Sequence, residues 1–433
     1  MVDIAVAGHL HGNSLLSVAA FIGGISVGSV LFDLLYWNFA FLRLSTGGLV
    51  AQAFGRGDMK ECAKVFTRSV TLALVLSVIL LLLQWPFQKF AFLIVKSSEE
   101  VHNLALEYFL IRIWAAPATL SLMSFRGWFI GMQDSVSSML TDLVVNIVNI
   151  VSSIILTLGI GPFKGFGFVG IAYGTVIAQF SGMMFAILVT VFKYGNRVFS
   201  EFEMKDFKEA IQGTELRRFM TMNGDLFIRS LCFIAIYFGF TTIAARYGDL
   251  TLSASTILMK ILMLFSYITD GFAYAGEALT GRFIGAKEPV LMKRSVKYVF
   301  VWSMAIALAF ILIYLFGGRW MLTVMSSDRT VVAECEKYLF WLLLMPGLGC
   351  AAFTWDGIYQ GATATKEIRN AMLTAFFSFY AVYFIGVAIF RPDAETALHV
   401  LLTAYFAHLI ARTVMLSLSW GKIKNAADPV LNN

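Results

Sequence analysis

Charge is scarce in this chain. Asp, Glu, Lys and Arg make up 14% of its 433 residues, where soluble globular proteins carry about 25%. With 59% apolar residues, that shortage excludes an ordinary soluble domain. Cysteine is equally sparse. Cys62, Cys232, Cys335 and Cys350 stand singly, so no CxxC or other metal-ligand spacing occurs. There is no HExxH and no paired His and Asp motif, which argues against a membrane enzyme. The start shows no basic segment followed by an apolar stretch and a cleavage site, so a cleavable signal peptide is not expected. Short alternating segments of the β-barrel kind are missing too. The net charge of +6 is spread over short connectors and forms no nucleic-acid patch.

What the chain has in quantity is long apolar runs, each able to cross a hydrocarbon core of about 30 Å as a helix. They predict an all-α polytopic membrane protein with helices near 18–46, 63–85, 105–130, 136–160 and 166–193. Six more follow near 218–246, 252–284, 292–317, 334–360, 366–390 and 396–420. The polar connector 194–217 divides the chain near its midpoint, and the two halves repeat. "RLSTGGLVAQAFGRGDMKE" from Arg43 lies about 230 residues before "AYAGEALTGRFIGAKEPVL" from Ala273. Gly55 stands opposite Gly285. Tyr108, Gly127 and Gly131 stand opposite Tyr338, Gly357 and Gly361, and Pro117 and Pro346 differ by one residue. A long shared period means two copies of one unit, a known transporter plan. The expected layout is an N-lobe over 1–193, a cytoplasmic linker over 194–217, a C-lobe over 218–425 and a cytoplasmic tail over 426–433. Against its counterpart in the second half, the first helix is expected as a truncated stub of about eight residues, with a true start upstream. Connectors on one side hold roughly 19 basic residues and the others roughly eight, which predicts cytoplasmic termini.

Polar residues at membrane depth are costly and usually functional. In "SYITDGFAYAGEALTGRFIGA" from Ser266, the residues Asp270, Tyr274, Glu277 and Gly281 share one helical face. With Asp356 of the neighbouring "TWDGIYQG", they predict an acidic site for a proton, a sodium ion or a cationic substrate; the alternative is a buried network that pins helix to helix. In "TDLVVNIVNIVSS", Asp142, Asn146, Asn149 and Ser153 share a second face, and Asp3 lies in the stub. Asn149 with Asp3 reads as a site, Asn146 as an interhelical hydrogen bond, and Asp142 as a solvated residue near the cytoplasmic end. Lys260 is a candidate counter-ion to a buried acid or a snorkelling side chain. Asp225 and Arg229, four apart, predict a structural pair, and His9 lies in a solvated outer turn.

These residues also carry a likeness. "VDIAVAGHL", "FLRLSTGGLVAQAFG", "DGFAYAGEALTGRFIGA" and "WDGIYQGATATKEIRNAM" together resemble the MATE (multidrug and toxic compound extrusion) family, in its bacterial DinF-like branch, over nearly the whole chain. The resemblance implies twelve helices in two six-helix lobes and secondary antiport. Protons or sodium ions enter while an organic, often cationic, compound leaves. It implies a monomer in the bacterial cytoplasmic (inner) membrane, with the bilayer and a small organic substrate as partners, no nucleic acid and no cofactor. No metal is implied beyond a possible Na+ at the acids. Carried over by position, Asp3 and Asn149 match the N-lobe ion site, Glu277 and Asp356 match C-lobe coupling acids, and Asp270 belongs to the DGFAYA motif. Ser153 stands where the branch often has an aspartate, which removes one carboxylate. The helix-bending proline of the family's first helix has no counterpart here. The rival readings are a lipid-linked oligosaccharide flippase of the same superfamily, kept open by Lys260, Arg43 and Arg112, and an inactive truncated fragment.

Overall fold

The computed structural model describes residues 3, 6, 18–94, 98–159, 162, 164–200, 202–326 and 328–426. His9 lies outside them. Among the described residues every regular element is a helix. Eleven helices are long and apolar enough to cross a membrane: α1 Ala20–Gly55, α2 Met59–Leu82, α3 Glu99–Gly131, α4 Ser135–Leu158, α5 Phe168–Val198, α6 Gly213–Ala245, α7 Asp249–Gly285, α8 Pro289–Met325, α9 Leu339–Gly361, α10 Thr365–Phe390 and α11 Thr396–Asn425. Asp3 and Val6 are also helical. Most helices outrun their apolar cores, because polar residues continue and cap them. Ser98 and Asp134 accept the Val101 and Ser137 amides at the starts of α3 and α4, and Pro289 opens α8. The stretch expected as one helix near 334–360 is two: a short helix Arg329–Glu336 precedes α9. Pro117 follows a 3-10 turn at Ile113–Ala115, whereas α9 runs through Pro346.

The chain forms two compact units. One comprises 1–46 and 59–218; the other comprises 47–58 and 219–433. Glycine positions the helices within each. In the first unit a Cβ on Gly127 would collide with the Arg43 carbonyl, and in the second a Cβ on Gly357 would collide with the Ala273 carbonyl. Both partners in the second contact lie about 230 residues beyond those in the first, so the repeat read in sequence is a repeated helix crossing. Within the second unit the end of α1 crosses the end of α7 reciprocally. Gly55 meets the Arg282 carbonyl, Gly285 meets the Gln52 carbonyl, and Ala51 faces Gly281 between them. Only a hydrogen in place of a side chain allows backbones this close.

A shorter period, not evident from the apolar pattern, appears in the turns. Helices α1, α3, α7 and α9 all end Gly-x-y-z, with y left-handed: Gly57 (φ 75°), Gln133 (φ 63°), Lys287 (φ 56°) and Thr363 (φ 54°). In each, the amide of y returns to the helix, as Lys287 does to Ile284 (3.1 Å) and Thr363 does to Gln360 (2.9 Å). Three of the four carry a side chain where glycine is preferred, a strain of about 1–2 kcal/mol each. Lys287→Gly should therefore raise stability by about 0.5–1 kcal/mol after glycine's own entropy cost, read as a higher melting temperature in detergent. Gly57→Ala should lower it.

The polar connector is largely helical. A π-helix spans Thr190–Phe199 and a short α-helix spans Met204–Ala210. Asp206 and Glu203 form a capping box, and the short helix is pinned to α2 by charge. Asp206 pairs with Lys60 (3.0 Å) and Lys64 (3.3 Å), Lys64 with Glu209 (2.6 Å), and Arg68 donates to the Ala210 carbonyl (2.9 Å). The Glu203 amide and the two lysines hold the Asp206 carboxyl well below the usual range, at about 2. A lowered folded-state value means the clamp is fully present above the ordinary carboxylate range and lost as pH falls toward about 2. Limited proteolysis should therefore cut within 194–217 faster in Asp206→Asn than in wild type at neutral pH. Asp134, at the head of α4, is also held below the usual range. Burial opposes its charge, but Lys193 (2.7 Å), Ser137 and Tyr194 (2.6 Å) outweigh burial.

Candidate functional site

Two polar clusters lie within apolar helices, one in each unit. In the first, Asp3 Oδ2 accepts from the Tyr108 hydroxyl (2.9 Å) and from Thr175 Oγ1 (3.3 Å). Asn149 Nδ2 donates to that threonine (3.2 Å), and Arg112 Nη1 donates to the Tyr108 hydroxyl (2.8 Å). The result is a chain from Arg112 through Tyr108 to Asp3, met from the other side by Thr175 and Asn149. Asp3 Oδ1 is buried with no hydrogen-bond partner. Tyr108 is fully buried, its ring fitting over Gly28, where a Cβ would stand 2.6 Å from Cδ1. Ser153, also fully buried, packs against Gly174 of α5, beside Thr175. So α3, α4 and α5 supply the cluster: Asn149 reaches Asp3 through Thr175, and Ser153 packs one residue away against Gly174. Tyr108, Arg112 and Thr175 join them without any distinguishing spacing in sequence; the lone arginine in the apolar stretch 109–118 is the available signal.

The second cluster differs from the acidic site expected there. Asp356 Oδ2 is held by two arginines, Arg229 Nη2 (2.6 Å) and Arg412 Nη2 (3.0 Å). Arg412, 3% exposed, also donates to the Ala352 carbonyl (3.2 Å) and lies over the Phe353 ring (5.3 Å to the centroid). Asp270 lies within electrostatic reach of the same guanidinium. His408, buried one turn before Arg412, has no hydrogen-bond partner at Nδ1. Two fixed positive charges thus meet carboxylates that looked unopposed. Arg229 was expected to pair with Asp225, but Asp225 instead takes Arg369 (2.5 Å) and Thr365 (3.0 Å) from α10. Each side chain bonds instead to a neighbouring helix more than 100 residues away in sequence.

The remaining candidates separate. Glu277 is fully buried, with its backbone carbonyl against Gly361, while Tyr274 is 36% exposed on the same helix. Lys260 is exposed. Among the described residues the bond of Asn146 is within its own helix, to the Asp142 carbonyl (2.8 Å). Asp142 is not simply solvated, since it pairs with Arg126 (2.6 Å). Among the described residues no group of three or more His, Cys, Asp or Glu is placed to hold a metal ion.

The MatE family model matches residues 1–155 and 226–389. The chain belongs to the MatE family. Among curated relatives it is 32% identical over 375 residues to DNA damage-inducible protein F of Escherichia coli (strain K12), covering 87% of this chain and 79% of that one. It is 22% identical over 376 residues to a probable multidrug resistance protein NorM of Photorhabdus laumondii, covering 86% and 79%. The fold matches a MATE crystal structure in the bent conformation with TM-score 0.83 at 16% identity, covering 98% of this chain and 92% of that one. A MOP superfamily transporter from Pyrococcus furiosus, described for the reverse polarity of its binding pocket, matches with TM-score 0.81 at 18% identity, covering 98% and 91%. This MatE protein is therefore an integral membrane protein of a transporter family, built on the all-helical MATE fold.

Proposed function

We propose that this MatE protein is an exporter of organic, cationic or amphipathic compounds, driven by proton antiport, with Asp3 as the coupling carboxylate. It acts as a monomer in the bacterial cytoplasmic membrane, with both termini cytoplasmic. The observation that carries the reading is the state of Asp3. One oxygen is engaged by two hydroxyls, and the other is buried without a donor. A buried carboxylate oxygen without a donor has an open position at which a proton can sit. With a serine at 153, Asp3 is the one carboxylate hydrogen-bonded in this cluster among the described residues, whereas a hard metal cation favours several oxygen ligands and net negative charge. That favours H+ over Na+. Ionised, Asp3 attracts a cation; protonated, it releases it on the other side of the membrane. The names of the multidrug relatives support an organic cargo.

Proteoliposomes holding the fluorescent cation ethidium test this. An imposed pH gradient should drive ethidium movement against its gradient, and a sodium gradient at constant pH should not. Sodium-driven movement alone would overturn the proton assignment. A second reading, a carrier of anionic cargo such as a lipid-linked oligosaccharide pyrophosphate, draws on Arg229 and Arg412 at Asp356. Inhibition of ethidium movement by pyrophosphate would favour it.

A further inference from the structure

Arg112 has no part in the mechanism above, yet it stands directly behind the coupling carboxylate. Its guanidinium donates to Tyr108 (2.8 Å), and the same hydroxyl donates to Asp3 (2.9 Å). It is caged by aromatic rings, lying 4.6 Å from the Phe32 centroid and 5.4 Å from that of Tyr108. Phe32 and Tyr108 are themselves buried and packed edge to face. A cation held this way on two rings has few rotamers left. Because its hydrogen occupies a lone pair of the phenol oxygen, the hydroxyl proton can only point away from Arg112, toward Asp3.

Resting on the reading of Asp3 as the coupling carboxylate, we infer that Arg112 is a positioning residue of proton coupling: it aims the Tyr108 hydroxyl at Asp3, keeps a fixed positive charge behind it, and so sets the pH at which the exporter loads its proton. The charged and titratable neighbours leave this role to Arg112. From α1, Asp33 and Tyr36 lie in electrostatic reach of the guanidinium, and from α3, Tyr108 does. Among the described residues, α4 and α5 bring the neutral Asn149 and Thr175 to this cluster, with Ser153 packed beside them against Gly174. Arg112 is thus the one cation among the described residues of this cluster. Removing its charge is therefore the direct test of its part in proton loading.

The test is the pH dependence of ethidium binding to the purified protein in detergent, and of ethidium movement in proteoliposomes. Arg112→Gln should move the midpoint alkaline by about one pH unit or more, the scale on which a nearby arginine shifts a carboxylate. Arg112→Lys retains charge without the planar fork and should recover part of that shift. Tyr108→Phe removes the bridge and should also shift the midpoint alkaline. A structural role alone would lower the yield of folded protein and leave the midpoint in place. If Arg112→Gln does not fold, the lysine and phenylalanine variants decide: an unchanged midpoint in both overturns the inference. Asp3→Asn separates the two layers. If it still transports with the wild-type pH profile, the Asp3 reading fails. If it is inactive while Arg112→Gln keeps the wild-type midpoint, only the role of Arg112 fails.

Discussion

Asp3→Asn should abolish uphill ethidium transport in a pH gradient while leaving downhill movement. The amide keeps the size of the side chain and can accept from Tyr108 and Thr175, so the helices should remain packed. What it loses is the ability to change charge. A gradient of one pH unit supports at most about a tenfold accumulation for one proton exchanged. In the variant the steady-state ratio should collapse to about one, a loss of the full factor of ten. If one proton exchanges for one monovalent cation, no net charge moves. Clamping the membrane voltage, otherwise about 2.3 kcal/mol per charge per 100 mV, should then leave the wild-type ratio unaltered. A ratio that follows the voltage would require more protons per cycle or an uncharged cargo. Glu277→Gln, assayed beside it, tests the other deep acid. Undiminished uphill transport in both variants would reject carboxylate coupling.

Asp356→Asn should have its largest effect on stability. The carboxylate is the anion for two guanidiniums, and Arg412 is almost wholly enclosed. Removing one side of a buried ion pair typically costs about 3–5 kcal/mol, because the remaining charge is left without compensation in a low dielectric. A steep drop in melting temperature and in yield from detergent is the expected result. Adding Arg412→Met to Asp356→Asn should recover part of it, since the second change removes a stranded charge and fills the space with an apolar side chain. A variant as stable as wild type but inactive would show instead that Asp356 serves transport and not the clamp.

The contrast between these two aspartates shows what can be read from the chain. The helices and the repeat were legible, because apolar runs have a fixed length requirement and because close crossings demand glycine at matching places, as at Gly127 and Gly357. The company kept by each charge was not. Asp225 and Arg229 sit one turn apart yet pair with α10 and α9 respectively. Local spacing describes one helix surface; partner choice depends on how neighbouring helices are rotated. The grouping of Asp3 with Asn149 rests on the cost of polar residues at membrane depth and on family resemblance, while Thr175 and Tyr108 carry no pattern that separates them from other hydroxyls in apolar helices. The recurrent left-handed turn carries little sequence signal, because only one of its four copies, at Gly57, has glycine at the diagnostic position.

Duplication evidently passed on the scaffold and not the chemistry. The close backbone crossings recur at one offset, but Tyr108 reaches an aspartate across helices whereas its counterpart Tyr338 bonds Glu334 one turn away on its own side (3.1 Å). Arg126 occupies the place that Asp356 takes in the other copy, with the opposite sign. An inhibitor with matched ends, built on the assumption of equivalent halves, would therefore meet two unlike receptors.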